Sequence, residues 1–97
     1  MTTVRKVEIV TASLEIEHVL EVLDNEGVSG YTVIRDVVGR GSRGARPGDE
    51  LTGALTNSYV MTACSAEEAE RVVAAVRPIL KRFGGVALVS ECQWVRH

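Results

Sequence analysis

"RKVEIVTASLEIEHVLEVLDNEGVSGYTVIRDVV", residues 5–38, carries two hydrophobic periods in succession, and their order decides the fold. It opens on strict alternation. Val7, Ile9 and Thr11 fall on one side and Lys6, Glu8 and Val10 on the other, as a half-buried strand requires. The period then changes: Ile16, Val19, Leu20 and Leu23 follow the i, i+3, i+4, i+7 spacing of an amphipathic helix. Ser13 is placed to cap this helix, Glu15 and Glu17 lie near its positive end, and Gly27 suits the position that closes it. "GYTVIRDVV", residues 30–38, is rich in β-branched residues and reads as a second strand.

The same order returns further on. "NSYVMTAC", residues 57–64, reads as a strand, and Ser65 with Glu68 has the S-x-x-E spacing of a capping box. Ala69, Val72, Val73, Val76, Leu80 and Phe83 form the apolar stripe of a second helix, in which Pro78 removes one backbone donor and is expected to produce a bend. Gly84 and Gly85 end it, and "VALVSECQWV", residues 86–95, is the last strand. The order β-α-β-loop-β-α-β over residues 1–97 predicts one α+β domain of the ferredoxin-like double βαβ type. Its four-stranded antiparallel sheet carries both helices on one face and a long loop between the halves.

One layer of helices leaves the other sheet face open, and an open face should be polar. Here the strands are apolar on both sides. Leu88, Cys92 and Trp94 oppose Val89 and Val95 in the last strand; Tyr31, Val33 and Val37 oppose Ile34 and Val38 in the second. This predicts a homo-oligomer, because a second subunit is needed to cover the rest.

Composition narrows the function. The 97 residues suit one domain, and 11 basic against 13 acidic residues give a net charge of −2, which argues against non-specific nucleic-acid binding. No apolar run approaches the ~20 residues of a membrane span, and the N-terminus enters a strand pattern instead of a signal sequence, so a cytoplasmic location is expected. Cys64 and Cys92 lie far apart without metal-ligand spacing and read as small buried residues. His18 and His97 belong to no recognisable catalytic set, and no nucleophile or acid–base pair stands out, so no enzyme is expected.

The remaining feature is residues 38–56, a length of loop that is usually functional or disordered, open to reading as a solvated connector or as an anion site. Gly39 and Gly41 let backbone N–H groups approach a ligand, Ser42 adds a hydroxyl, and Arg40, Arg43 and Arg46 offer planar contacts to phosphate or carboxylate. Neither a P-loop nor a dinucleotide fingerprint is present. A second glycine turn, "RFGGV" at residues 82–86, is a candidate opposite wall of an anion site completed across a subunit boundary.

"GVSGYTVIRDVVGRGSRG" and "RFGGVALVSECQWV", set in the double βαβ order, make the chain resemble the PII superfamily of small trimeric signalling proteins over nearly its whole length. The "GSRG" continuation is closest to the PII-like branch linked to inorganic carbon, which includes carboxysome-associated PII proteins and regulators of a bicarbonate transporter. The resemblance implies a homotrimer with nucleotide in inter-subunit clefts. Thr32 matches a threonine near the adenine, and Gly39, Arg40 and Gly41 match the loop base that meets ribose and phosphate. Ser42, Arg43 and Arg46 fall where the loop wraps the phosphates. Phe83, Gly84 and Gly85 match the opposite wall, and Cys64 lies near a strand end that lends backbone contacts to the base. Arg96 and His97 are candidates to reach in from a neighbouring subunit.

Two departures from the nitrogen-regulatory members matter. Residues 39–56 contain no tyrosine for uridylylation, since Tyr31 and Tyr59 fall in predicted strands, and the second glycine turn is short and lacks its phosphate-contacting basic residue. The resemblance therefore implies ADP or AMP ahead of magnesium-ATP with 2-oxoglutarate; cyclic AMP, ATP and bicarbonate are further candidate ligands. It implies that nucleotide orders a flexible T-loop-type segment, residues 38–56, to regulate a protein partner in carbon uptake or fixation, either a transporter or a carboxysome-associated protein. The alternatives are a nitrogen-regulatory PII protein, a CutA-like metal-tolerance trimer and a small phosphoesterase with a metal at Asp49 or Glu50.

Overall fold

The computed structural model describes residues 1–41, 44–46 and 56–97. The elements run β1 (Thr2–Ala12), a 3-10 turn (Ser13–Glu15), α1 (Ile16–Asn25), β2 (Thr32–Val37), β3 (Gly39–Gly41), β4 (Gly44–Arg46), β5 (Asn57–Cys64), α2 (Ala66–Phe83) and β6 (Gly85–Trp94). The main sheet has the order β2-β5-β1-β6 with every neighbouring pair antiparallel, which is the ferredoxin-like topology. Val7, Ile9 and Thr11 of β1 are buried, as their alternation requires, together with Ser58, Val60, Thr62 and Cys64 of β5. Ile16, Val19 and Leu23 of α1 and Ala69, Val72 and Val76 of α2 close this core from the helix side.

The helix ends follow local chemistry with one exception. Ser65 Oγ accepts from the Glu68 backbone N–H while a Glu68 carboxylate oxygen accepts from the Ser65 N–H, so the capping box forms. At the end of α1, Gly27 adopts φ +77°, its N–H bonds to Asp24 O, and the Val28 N–H bonds to Leu23 O. That is a Schellman closure with Val28 packed on the core beside Leu23. Ser13, however, makes no cap; its hydroxyl turns inward to Ser58 and Thr56, and the chain enters α1 through a 3-10 turn. A tertiary partner outcompetes the local cap. Pro78 lies inside α2.

Three further expectations change. The segment read as an irregular loop begins with a β-ribbon in which Gly39, Arg40 and Gly41 pair with Arg46, Ala45 and Gly44. Pairing of glycine-rich backbone, without apolar alternation, forms it, so its sequence carries no strand signal. Tyr31 precedes β2 instead of lying within it. Of the cysteines, Cys64 is buried but Cys92 is only half-buried, because it sits on the sheet face away from the helices.

That face is open. By register it carries Val4, Val10, Ile34, Met61, Val86, Leu88 and Trp94. Ile34, Val86, Leu88 and Trp94 are exposed. Three polar residues of the same face are tied to one another: Tyr59 Oη donates to Glu8 Oε2 at 2.7 Å and Lys6 Nζ lies 3.6 Å from Glu8. The bond to Glu8, ahead of burial and the Glu8 charge, pushes the Tyr59 phenol above its usual range, so it stays a neutral donor.

Candidate functional site

The register sorts the candidate residues between the two ends of the sheet. At one end, β2 runs into β3, which places Gly39, Arg40 and Gly41 beside the start of β5, with Arg46 paired to Gly39. At the same end Phe83, Gly84 and Gly85 lead into β6 next to Thr11. The strands that lead to these two groups, β2 and β6, are the opposite edges of the main sheet, three interstrand spacings or about 14 Å apart. The two groups do not meet within one chain. Ser42 and Arg43 lie outside the described residues.

The glycine turn is fixed firmly. Gly85 has φ +120°, and a Cβ built on it would lie 2.1 Å from Val10 O. Only glycine lets β6 approach β1 this closely. Gly84 O accepts a buried hydrogen bond from Thr11 Oγ1 at 2.8 Å. The Arg82 guanidinium stacks on the Phe83 ring at 5.3 Å, placing a cation on this wall that the short turn does not itself supply.

Thr32 and Cys64 belong to the opposite end, where β2 begins and β5 finishes. Two adjoining cavities open there. One of about 510 Å³ includes Cys64, Ser65, Glu68, Trp94 and Arg96 in its walls, and one of about 300 Å³ includes Gly30, Tyr31, Thr32 and Thr62. Ser29, Ala63 and Trp94 line both. The structure thus joins Thr32 to Cys64 through Ser29 and Trp94, which sequence reasoning missed. Trp94 is the only tryptophan in the chain, but its place beside Ser29 depends on the long-range pairing of β6 with Thr2. Arg96 lines the larger cavity itself.

The electrostatics suit binding. Hydrogen bonds from Ser65, the backbone N–H first, hold the Glu68 carboxyl below its usual range, so it remains charged across from Arg96. Burial, with a smaller contribution from the Glu68 charge, pushes the Cys64 thiol up. A neutral thiol under a cavity floor is a poor nucleophile and metal ligand. Among the described residues, no group of three or more His, Cys, Asp or Glu side chains is placed to hold a metal ion.

This fold, with its two glycine-marked loop ends, agrees with a family match spanning residues 4–97, to the nitrogen regulatory protein P-II family. The chain belongs to the P-II family. Solved structures of the family resemble this member closely. CPII of Thiomonas intermedia K12, a PII-like protein bound to ADP, AMP and bicarbonate, superposes with a TM-score of 0.89 at 25% identity, covering 98% of this chain and 91% of that one. A PII-like signalling protein of Thermus thermophilus gives 0.78 at 24% identity, over 94% and 88% of the two chains. GlnK of B. subtilis gives 0.68 at 21% identity, over 94% and 86%. No curated protein sequence matches the chain. Among the described residues of this P-II family member, no helix is long and apolar enough to cross a membrane.

Proposed function

We propose that the protein is a PII-like sensor that binds ADP or AMP, together with bicarbonate, in clefts between the subunits of a homotrimer. The observation that carries this reading is the division of the candidate residues. Thr32 and Cys64 line cavities at one end of the sheet, while Gly39, Arg40, Gly41, Phe83, Gly84 and Gly85 occupy the other end. Each end is half of a site. A neighbouring copy that sets its glycine-rich end against this chain's cavity end completes it, and the apolar open face supplies the surface for that association. CPII of Thiomonas intermedia, similar along nearly the whole chain, binds ADP, AMP and bicarbonate.

In this reading the adenine base enters the cavity over Thr32 and the end of β5, with Arg96 nearby. The phosphates meet the backbone N–H groups of Gly39–Gly41 and the arginines Arg40, Arg43 and Arg46 of the neighbour, facing its Phe83–Gly85 wall. Phosphate draws cations and donors together and sets the geometry of the segment after β2, which a partner protein then reads. The regulated process is inorganic-carbon uptake or fixation, and the chemistry is binding instead of catalysis.

Calorimetry with ADP, AMP, cyclic AMP and ATP, each with and without bicarbonate, tests the ligand. Saturable ADP or AMP binding that bicarbonate strengthens is expected. Binding restricted to ATP with 2-oxoglutarate would move the protein to the nitrogen-regulatory group, and no binding at all would end the reading. Light scattering tests the assembly, with a mass three times the 10.5 kDa chain expected.

A further inference from the structure

The two ends of the segment between β2 and β5 are fastened to each other by a closed ring of hydrogen bonds. Thr56 Oγ1 lies 3.0 Å from Asp36 Oδ1 and 3.0 Å from Ser13 Oγ. Thr56 Oγ1 is the donor in both contacts, so its one proton is shared between the Asp36 carboxylate and Ser13 Oγ. Ser13 Oγ is 2.9 Å from Ser58 Oγ, and either hydroxyl can donate. The Asp36 backbone N–H then donates to Ser58 Oγ at 3.2 Å and closes the ring. The Ser13 N–H also bonds to Thr56 O at 2.9 Å. The linked hydroxyls end on a carboxylate, a charged acceptor that strengthens the bond it receives.

Asp36 itself is displaced from ordinary strand geometry. Pairing steps from Ile34↔Tyr59 to Val37↔Asn57, so three steps along β2 match two along β5, and β2 carries one extra residue. Asp36 takes φ +58° at this bulge, the only described non-glycine residue with positive φ. Aspartate tolerates this conformation better than most side chains, though at some cost in backbone energy. Thr56 and Ser58 are buried, so the ring forms in a partly dry setting. A bulge redirects a strand. Here the redirected strand is the one that leads directly to Gly39–Gly41.

We propose that Asp36 and Thr56 are positioning residues that clasp the loop ends and aim the Gly39–Gly41 backbone at the anion. This rests on the nucleotide reading for its ligand but not for its geometry. Neither residue contacts the nucleotide; their effect passes through the direction of β3. The test uses the full chain with ADP as probe, read by calorimetry, alongside the ligand-free melting temperature and amide hydrogen exchange. Asp36→Gly keeps the permitted φ and removes the acceptor; Thr56→Val removes the donor and keeps the shape. Each is expected to weaken ADP about tenfold, equivalent to about 1.4 kcal/mol. Thr56→Ser and Asp36→Asn keep a donor and an acceptor, so they should bind as wild type. The double variant Asp36→Gly/Thr56→Val should bind no more weakly than either single one, because the first change already opens the ring.

Wild-type ADP affinity in both Asp36→Gly and Thr56→Val would overturn the clasp. So would equal losses in Thr56→Ser and Thr56→Val, or a double variant showing the full sum of two independent losses. Absence of ADP binding by the wild type defeats the nucleotide reading and leaves the clasp to be decided by hydrogen exchange. Faster exchange at the Gly39 and Gly41 amides of either variant, with Val7 and Ile9 unchanged, supports it. Unchanged exchange at those glycines overturns it.

Discussion

Gly85→Ala is the sharpest perturbation this fold permits at a single atom. The added Cβ would stand 2.1 Å from Val10 O, 3.0 Å from Thr11 Cα and 3.1 Å from Thr11 Cβ. Most of that obstruction belongs to the main chain of β1, which is paired on both sides and cannot step back. The φ of +120° adds its own penalty for any side chain, about 1–3 kcal/mol. Relief requires the start of β6 to peel away, which removes the Thr11↔Gly85 pairing and the buried bond from Thr11 Oγ1 to Gly84 O. A buried group left without its partner costs about 1–3 kcal/mol more. The loss, about 2–6 kcal/mol, is a large share of the 5–15 kcal/mol typical of a domain. At roughly 4–8 °C per kcal/mol, the melting temperature should fall by at least about 8 °C. Far-UV circular dichroism at matched protein concentration measures it, since association shifts the midpoint. Gly30→Ala is the control: its Cβ meets nothing within 4 Å, and it should melt close to wild type. A Gly85→Ala protein melting within about 3 °C of wild type would refute the packing of β6 on β1 described above.

Other perturbations read separate parts of the structure. Ser65→Ala breaks the capping box and should cost about 1 kcal/mol, seen as a lower melting temperature and faster exchange in the first turn of α2. The same bonds lower the folded-state pKa of Glu68, so they stabilise the fold above its ordinary value of 4.5 and are lost as pH falls through the folded value. Ser65→Ala keeps the backbone N–H, the larger cause, so Glu68→Gln, which removes the titrating carboxyl, is the variant that should flatten the acid limb of the stability profile, and an unchanged limb would contradict this. His18 has its pKa raised above 6.5, first by its hydrogen bond to Glu15 and then by the Glu15 charge. That contribution is present below 6.5 and lost as pH rises through the raised value; in an NMR titration Glu15→Gln should return His18 toward 6.5. Leu88→Glu places a charge on the open apolar face and should convert the trimer to monomer by light scattering, whereas a retained trimer would put the interface elsewhere. Under the proposed nucleotide reading, Arg43→Ala should weaken adenine-nucleotide binding at least about tenfold, and an unchanged affinity would refute a phosphate role for that side chain.

The order of the four main strands and two helices, and the core-facing side of β1, α1 and α2, could be read from the residues alone. The alternation Val7, Ile9, Thr11 and the stripe Ile16, Val19, Leu23 were legible because burial imposes its period on neighbouring residues. The Ser65–Glu68 box and the Gly27 closure were legible for the same reason, since both partners lie within one turn. The apolar excess on the second sheet face was likewise visible from alternation alone. The features that came from folding involve residues far apart in the chain. Ser13 looked like a cap until Ser58 and Thr56 offered it other bonds. The β3–β4 ribbon, the bulge at Asp36 and the cavity walls shared by Trp94 and Ser29 arise from strand pairing, which no local period encodes. Pairing register also sent the candidate binding residues to opposite ends of the sheet, and a register is set only when distant strands meet.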